Sequence, residues 1–258
     1  MLRVPAPPAD PRNLIRVIPA EGKGLEHSAT IGEVAYMELA EERREKLSRM
    51  RLYVITADHG GEAETVRTIE AALAGGANVI QLRKKAMPKG EQYLIALALR
   101  RLTQIHGALF IVNDHPDIAI AADADGIHLG QDDLPPAVVR QLPGFEGRLI
   151  GRSTHSLGQA QLAVHEGADY IAVGPVFPTP TKEGRAAVGT ALVSRVAGVV
   201  DRPFVAVGGI DLANAPSVLD AGARAIAVVR AVYDAPDPAE AARRLHEVLV
   251  TRIEAARR

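Results

Sequence analysis

The stretch NDHPDIAIAADADGIHLGQDD, Asn113 to Asp133, decides how the whole chain is read. It begins with Asn113-Asp114 straight after the apolar run Ala108 to Val112. It ends with Gly130-Gln131-Asp132-Asp133 straight after the short run Gly126 to Leu129. Between them Ile118 to Ala122 is apolar and Ala-rich, long enough for a short helix. The order is strand, turn, helix, strand, turn. In a parallel sheet both turns lie at the carboxyl ends of their strands, so Asp114 and Asp133 should face one pocket. Two converging carboxylates there suit Mg²⁺. Asp is also a favoured helix N-cap at such turns, and position alone leaves that structural reading standing.

Outward from this stretch the same alternation recurs, giving eight βα units from Arg51 onward. The expected strands are Leu52–Thr56, Asn78–Leu82, Ala108–Val112, Gly126–Leu129, Arg148–Gly151, Tyr170–Val173, Phe204–Val207 and Ala225–Val228. Val66, Ile69 and Leu73 fall at helical spacing after the first. Further helices are expected over Glu91–Ile105, Leu157–Glu166, Thr190–Val199, Asp211–Ala221 and Pro238–Ala256. The strands are apolar without alternation, as strands covered on both faces are. Eight units in about 208 residues fit an α/β (β/α)₈ TIM barrel, with a doubly wound sheet as the competing architecture. Gly76-Ala77, Gly167-Ala168 and Gly222-Ala223 read as αβ corners.

Residues 1–50 differ in character from residues 51–258 and read as an N-terminal extension. Pro5, Pro7, Pro8 and Pro11 preclude a helix at the start, whereas Ile31 to Met50 reads as a charged helix without evident chemistry. A formal net charge of −1 argues against a nucleic-acid surface. No cysteine is present, which excludes disulfides and thiolate metal sites. No apolar run approaches the roughly 20 residues that span a bilayer. A cytoplasmic protein without membrane or nucleic-acid partners is expected, and a homo-oligomer is compatible with the sequence.

In a barrel, the residues just past each strand form the active-site rim. Here they are Gln81, Arg83 and Lys85; Asn113 and Asp114; Gln131 and Asp133; Ser153 and His155; Thr179, Thr181 and Lys182; Gly208-Gly209; and Val229-Arg230. Arg83, Lys85 and Lys182 with Asp114 and Asp133, among neutral hydrogen-bonders, suit an anionic, metal-chelated ligand; with one Mg²⁺ the formal sum of these is about +3, matching a diphosphate ester. Gly208-Gly209-Ile210 allows backbone N–H groups to approach a phosphate. His59, His106, His128 and His165 show no metal spacing and read as structural or surface residues.

The motifs QLRKK (81–85), ND (113–114), DGIHLGQDD (125–133), GRSTH (151–155), GPVFPTPTK (174–182) and AVGGI (206–210) resemble, in order, those of the thiamine-phosphate synthase family. The resemblance covers about residues 51 to 235. It implies a transferase of thiamine biosynthesis joining 4-amino-2-methyl-5-(diphosphooxymethyl)pyrimidine to 4-methyl-5-(2-phosphooxyethyl)thiazole, or its carboxylated form, with release of diphosphate. By resemblance, Asp114 and Asp133 hold Mg²⁺, and Gln81, Arg83, Lys85, Asn113, Ser153 and Lys182 bind the pyrimidine diphosphate. Thr179 and Thr181 then contact the thiazole phosphate and its neighbourhood, and Gly209, with Val229 and Arg230, lies at the phosphate turn. Arg83, Lys85, Ser153 and Lys182 are the candidate catalytic residues.

The chain departs from the family pattern at three places. Ala57 separates Thr56 from Asp58, which leaves Asp58 outside the expected site. Lys84 replaces an acid, making the expected rim more basic, and Arg230 replaces a small hydroxyl residue, offering phosphate a guanidinium instead. Two competing readings remain: a thiazole tautomerase using His155 as base, and a non-catalytic phosphate-binding barrel.

Overall fold

The computed structural model describes residues 31–179 and 186–255. The short Val/Ile/Leu-rich runs form strands β1 (Leu52–Ile55), β2 (Val79–Leu82), β3 (Leu109–Asn113), β4 (Gly126–Leu129), β5 (Leu149–Thr154), β6 (Tyr170–Val173), β7 (Phe204–Val207) and β8 (Ile226–Val228). Each pairs in parallel with the next, and β8 returns to β1 with Val54 opposite Val228. Closure of the barrel disposes of the doubly wound alternative.

Helices α1 (Ile31–Ser48), α2 (Glu62–Ala74), α3 (Lys89–Ile105), α4 (Pro116–Ala121), α5 (Pro136–Val139), α6 (Leu157–His165), α7 (Gly189–Ala197), α8 (Ala215–Asp220), α9 (Arg230–Tyr233) and α10 (Pro238–Ala255) complete the described chain. None is long and apolar enough to cross a membrane. The three Gly-Ala corners close Schellman motifs: Ala77 N–H donates to Ala72, Ala168 to Ala163 and Ala223 to Val218.

Alternate residues of each strand serve two cores. Leu52, Val54, Phe110 and Val112 pack outward against the helices. Tyr53, Ile55, Leu109, Ile111 and Tyr170 fill the barrel interior, where Leu47 and Met50 at the end of α1 join them. Helix α1 therefore stoppers the amino-terminal end of the barrel. Arg43, only 6% exposed, fixes it there through Asp125 Oδ1 at 3.3 Å and the Gly147 carbonyl at 3.3 Å.

Most boundaries fall within a residue or two of expectation, and the two larger differences have visible reasons. Strand β5 continues past Gly151 because Ser153 and Thr154 pair with Ala172 and Val173, and the Thr154 hydroxyl donates to the Ala172 carbonyl at 3.0 Å. Their polarity had masked the strand. Helix α8 starts late because Asp211 Oδ1 accepts from the amides of Ala213 (2.9 Å) and Asn214 (3.1 Å), a side-chain turn that competes with the helix.

Candidate active site

A cavity of about 460 Å³ opens at the carboxyl ends of the strands. Its polar lining includes Gln81, Arg83, Asn113, His128 and Ser153 on one side, with Thr179, Gly208, Gly209 and Arg230 on the other. Val229 lines it as well. Thr181 and Lys182 lie outside the described residues.

The β2 end is held by hydrogen bonds before any ligand arrives. The Thr56 hydroxyl receives the Arg83 amide at 2.8 Å and donates to the Arg83 carbonyl at 2.9 Å. Asp58 takes the Arg83 guanidinium at 2.6 Å and the Lys85 amide at 2.8 Å. Asp58 was expected outside the site; instead it orients the Arg83 guanidinium and anchors the Lys85 backbone. The inserted Ala57 is buried, so the chain absorbs it and still delivers Asp58 to the rim.

Lys84 corrects another expectation. It adds nothing to the rim, because its side chain runs the other way, into the layer between the β1–α2 loop and α9. It is 1% exposed, and its ammonium donates to the carbonyls of His59 and Gly60 and sits 5.4 Å from the Tyr233 ring centroid. Burial pulls its pKa below the usual lysine value, against the pull of Asp58 and Glu64.

Asp114 and Asp133 are brought together. Asp114 has φ +62, and the His115 amide donates to the Asn113 carbonyl at 2.7 Å, closing a tight three-residue turn around it. A left-handed non-glycine residue is strained, and such strain collects at functional sites. Lys85 Nζ reaches Asp114 Oδ2 at 3.1 Å. Asp133 takes the Gly130 amide at 2.6 Å. Burial, then a hydrogen bond with Asp114, raises the Asp133 pKa above the usual carboxylate value. Neither aspartate caps a helix: the residues at those positions are His115 for α4 and Pro135 for α5. The loop carrying Asp133 is moored to β5 by Arg152, which donates to the carbonyls of Leu134 (3.1 Å) and Gln131 (3.3 Å), and by Gln131 Nε2 to the Ser153 carbonyl at 2.6 Å.

His128 is neither a surface nor a mere packing histidine. It lines the cavity floor at 6% exposure, with Nε2 at 2.9 Å from Ser153 Oγ. Tyr53 joins it in that lining, and Tyr170 lies beneath, 3.2 Å from His128 Nδ1. His128 sits opposite Asn113 and Gly151 in the strand register, and so shares their inward face. His155 does not line the cavity; its Nδ1 bonds the Gly174 carbonyl and its amide donates to Gln159 at 2.7 Å. At Gly208 and Gly209, with φ of +103 and +64, an added Cβ would lie 2.5 Å from Pro175 and 2.8 Å from Phe177. Only glycine fits there without displacing the segment that carries Pro175 and Phe177.

Residues 52–232 match the family model described as thiamine monophosphate synthase. The chain is 48% identical over 214 residues to a thiamine-phosphate synthase of Gloeobacter violaceus, covering 83% of this chain but 59% of that protein. Against the thiamine-phosphate synthase of Mycolicibacterium vanbaalenii it is 47% identical over 215 residues, 79% of this chain and 96% of that one. The chain thus spans little more than half of some relatives and nearly all of others. The structure resembles a thiamine phosphate pyrophosphorylase from Pyrococcus furiosus with a TM-score of 0.73 at 38% identity, covering 81% of this chain and 98% of that one.

Proposed function

The chain belongs to the thiamine monophosphate synthase family, and from that premise we propose that it transfers a pyrimidine methyl group from diphosphate to the nitrogen of a thiazole phosphate. The observation that carries the reading is the meeting of two carboxylates, Asp114 and Asp133, with Lys85 beside a cavity that Arg83, Asn113 and Ser153 line. Such a set suits a ligand that brings both negative charge and a counter-cation.

Mg²⁺ fits these residues. Asp114 and Asp133 offer hard oxygen donors, and their mutual repulsion is relieved by a divalent cation. Among the described residues no cluster of three or more His, Cys, Asp and Glu suggests a protein-only metal cage. Two carboxylates with substrate phosphate completing the shell is the usual arrangement for this ion. When bound, Mg²⁺ would supply charge neutralisation to the diphosphate.

The chain's own residues then divide the remaining work. Breaking the methylene C–O bond sends its electron pair to the diphosphate oxygen, and the pyrimidine stabilises the cation left behind. No protein nucleophile is needed. Arg83, fixed by Asp58, and Lys85 take up charge on the departing group, and Ser153 donates a hydrogen bond to it. Lys182 joins them by the family resemblance. Gln81 and Asn113 orient the pyrimidine, while Gly209, Val229, Arg230, Thr179 and Thr181 seat the thiazole phosphate so that its nitrogen faces the methylene. The tautomerase reading asks His155 to act as a base in the pocket; the tie of its Nδ1 to the Gly174 carbonyl speaks against that. The activity is proposed to be cytoplasmic.

Diphosphate release measured with both substrates, with and without Mg²⁺, tests this reading. Release that needs all three components is the expected result; isomerisation of the thiazole alone would replace synthase by tautomerase.

A further inference from the structure

At the floor of the cavity, five inward-facing side chains, one from each of five strands, form one hydrogen-bonded file. Gln81 Nε2 donates to the Tyr53 hydroxyl at 2.7 Å, and the Tyr53 and Tyr170 hydroxyls are 3.0 Å apart. Tyr170 lies 3.2 Å from His128 Nδ1, and His128 Nε2 lies 2.9 Å from Ser153 Oγ. The proton order along the file follows from its first member. An amide NH₂ only donates, so the Tyr53 oxygen receives, and the Tyr53 proton passes to Tyr170. The Tyr170 proton then goes to Nδ1, which leaves the imidazole hydrogen on Nε2, donating to Ser153. The Ser153 proton is thereby turned out of the file, on the side of the cavity that Ser153 lines.

We propose that His128, backed by Tyr170 and Tyr53, is a positioning residue that sets Ser153 as a hydrogen-bond donor to the diphosphate as it leaves. This rests on the synthase reading for the identity of the group that Ser153 addresses; the proton order itself does not.

Two independent features show that the file is built into the barrel. Tyr53 and Tyr170 are 1% and 0% exposed, and burial raises both phenol pKa values, so each keeps the proton that the order requires. Gly151 makes room for it: a Cβ at that position would stand 2.1 Å from Tyr170 Cζ and 2.5 Å from its hydroxyl oxygen. The sequence GRS therefore pairs a bare backbone position with the serine two residues on, both on the inward face of β5.

Tyr170→Phe keeps the ring and removes the donor to Nδ1. The imidazole can then carry its proton on Nδ1 and accept from Ser153, which withdraws the serine proton from the cavity. The expected loss is about 10-fold in kcat with KM for both substrates changed less than about 2-fold. Made in a Ser153→Ala background, the same change should cost less than about 2-fold, because nothing remains to be oriented. Losses that multiply would show that Tyr170 acts by packing and would overturn the proposal. Should Tyr170→Phe not fold, Tyr53→Phe removes the donor that turns the Tyr170 proton toward Nδ1; a smaller loss of about 3-fold in kcat is expected, which should likewise vanish in the Ser153→Ala background, and losses that multiply there overturn the proposal. A ¹⁵N spectrum of the histidine ring gives a readout without turnover: wild type should hold His128 as the Nε2–H tautomer, and Tyr170→Phe should shift it. An Nδ1–H tautomer in wild type overturns the file, whereas absence of Mg²⁺-dependent diphosphate release from wild type overturns the synthase reading alone.

Discussion

Asp114 and Asp123 are the two non-glycine residues with left-handed backbone among the described residues, at φ +62 and +50, and they bracket α4 from opposite ends of the barrel. Their surroundings are opposite. At the amino-terminal end Asp123 meets Arg148 at 2.9 Å and Arg100 at 3.2 Å, while neighbouring Asp125 takes Arg100 at 2.9 Å, Arg43 at 3.3 Å and the Phe110 amide at 2.9 Å. Each carboxylate there is matched by guanidinium, and the cluster ties α1, α3 and the barrel together. At the carboxyl end Asp114 faces Asp133, with Lys85 as the cation beside them. Like charges in contact cost stability and wait for a counter-ion. Matched charge marks a structural joint; unmatched charge marks a place for a ligand.

The largest effect should come from the unmatched pair. Asp114→Asn or Asp133→Asn is expected to lower turnover about 1000-fold while the melting temperature stays level or rises, since a repulsion is removed. Steady-state rates with a melting curve check this, and near-normal turnover would erase the contrast between the two ends. The amino-terminal cluster should respond in stability rather than in turnover. Asp125→Ala leaves Arg43 and Arg100 short of a partner and is expected to destabilise the fold by about 3 kcal/mol, read by denaturant unfolding, with kcat of the folded protein unchanged. Smaller still is Arg230→Ser at the far side of the cavity, expected to raise KM for the thiazole phosphate about 10-fold and leave KM for the pyrimidine diphosphate alone. An equal rise in both constants would move Arg230 out of the phosphate subsite. Lys84→Met should change kcat less than about 3-fold, because its charge is spent on the β1–α2 loop; a larger fall would return Lys84 to the rim.

Much of this was legible in the chain. Strands whose apolar runs stop at a polar residue announce where the barrel ends, so Arg83, Asn113 and Asp114 could be assigned to the rim from order alone. Asp58, Lys84 and His128 could not. Asp58 acts through a partner 25 residues away, Lys84 leaves the rim for a layer that exists only once α9 is in place, and His128 lies within a strand, where a polar residue reads as a packing exception. Asp58 was mistaken because one inserted alanine looked like a shift of register, and the loop absorbed it.

The sequence by itself determined the number and order of the βα units, because solvent-free strands must be apolar on both faces and turns must be polar or glycine-rich. That same property hid which face of each strand looks inward. Only closure of the barrel decided it, putting Tyr53, Tyr170 and His128 in one interior file and bringing Asp133 against Asp114. Local composition fixes where a strand runs; what its side chains meet depends on neighbours distant in the chain.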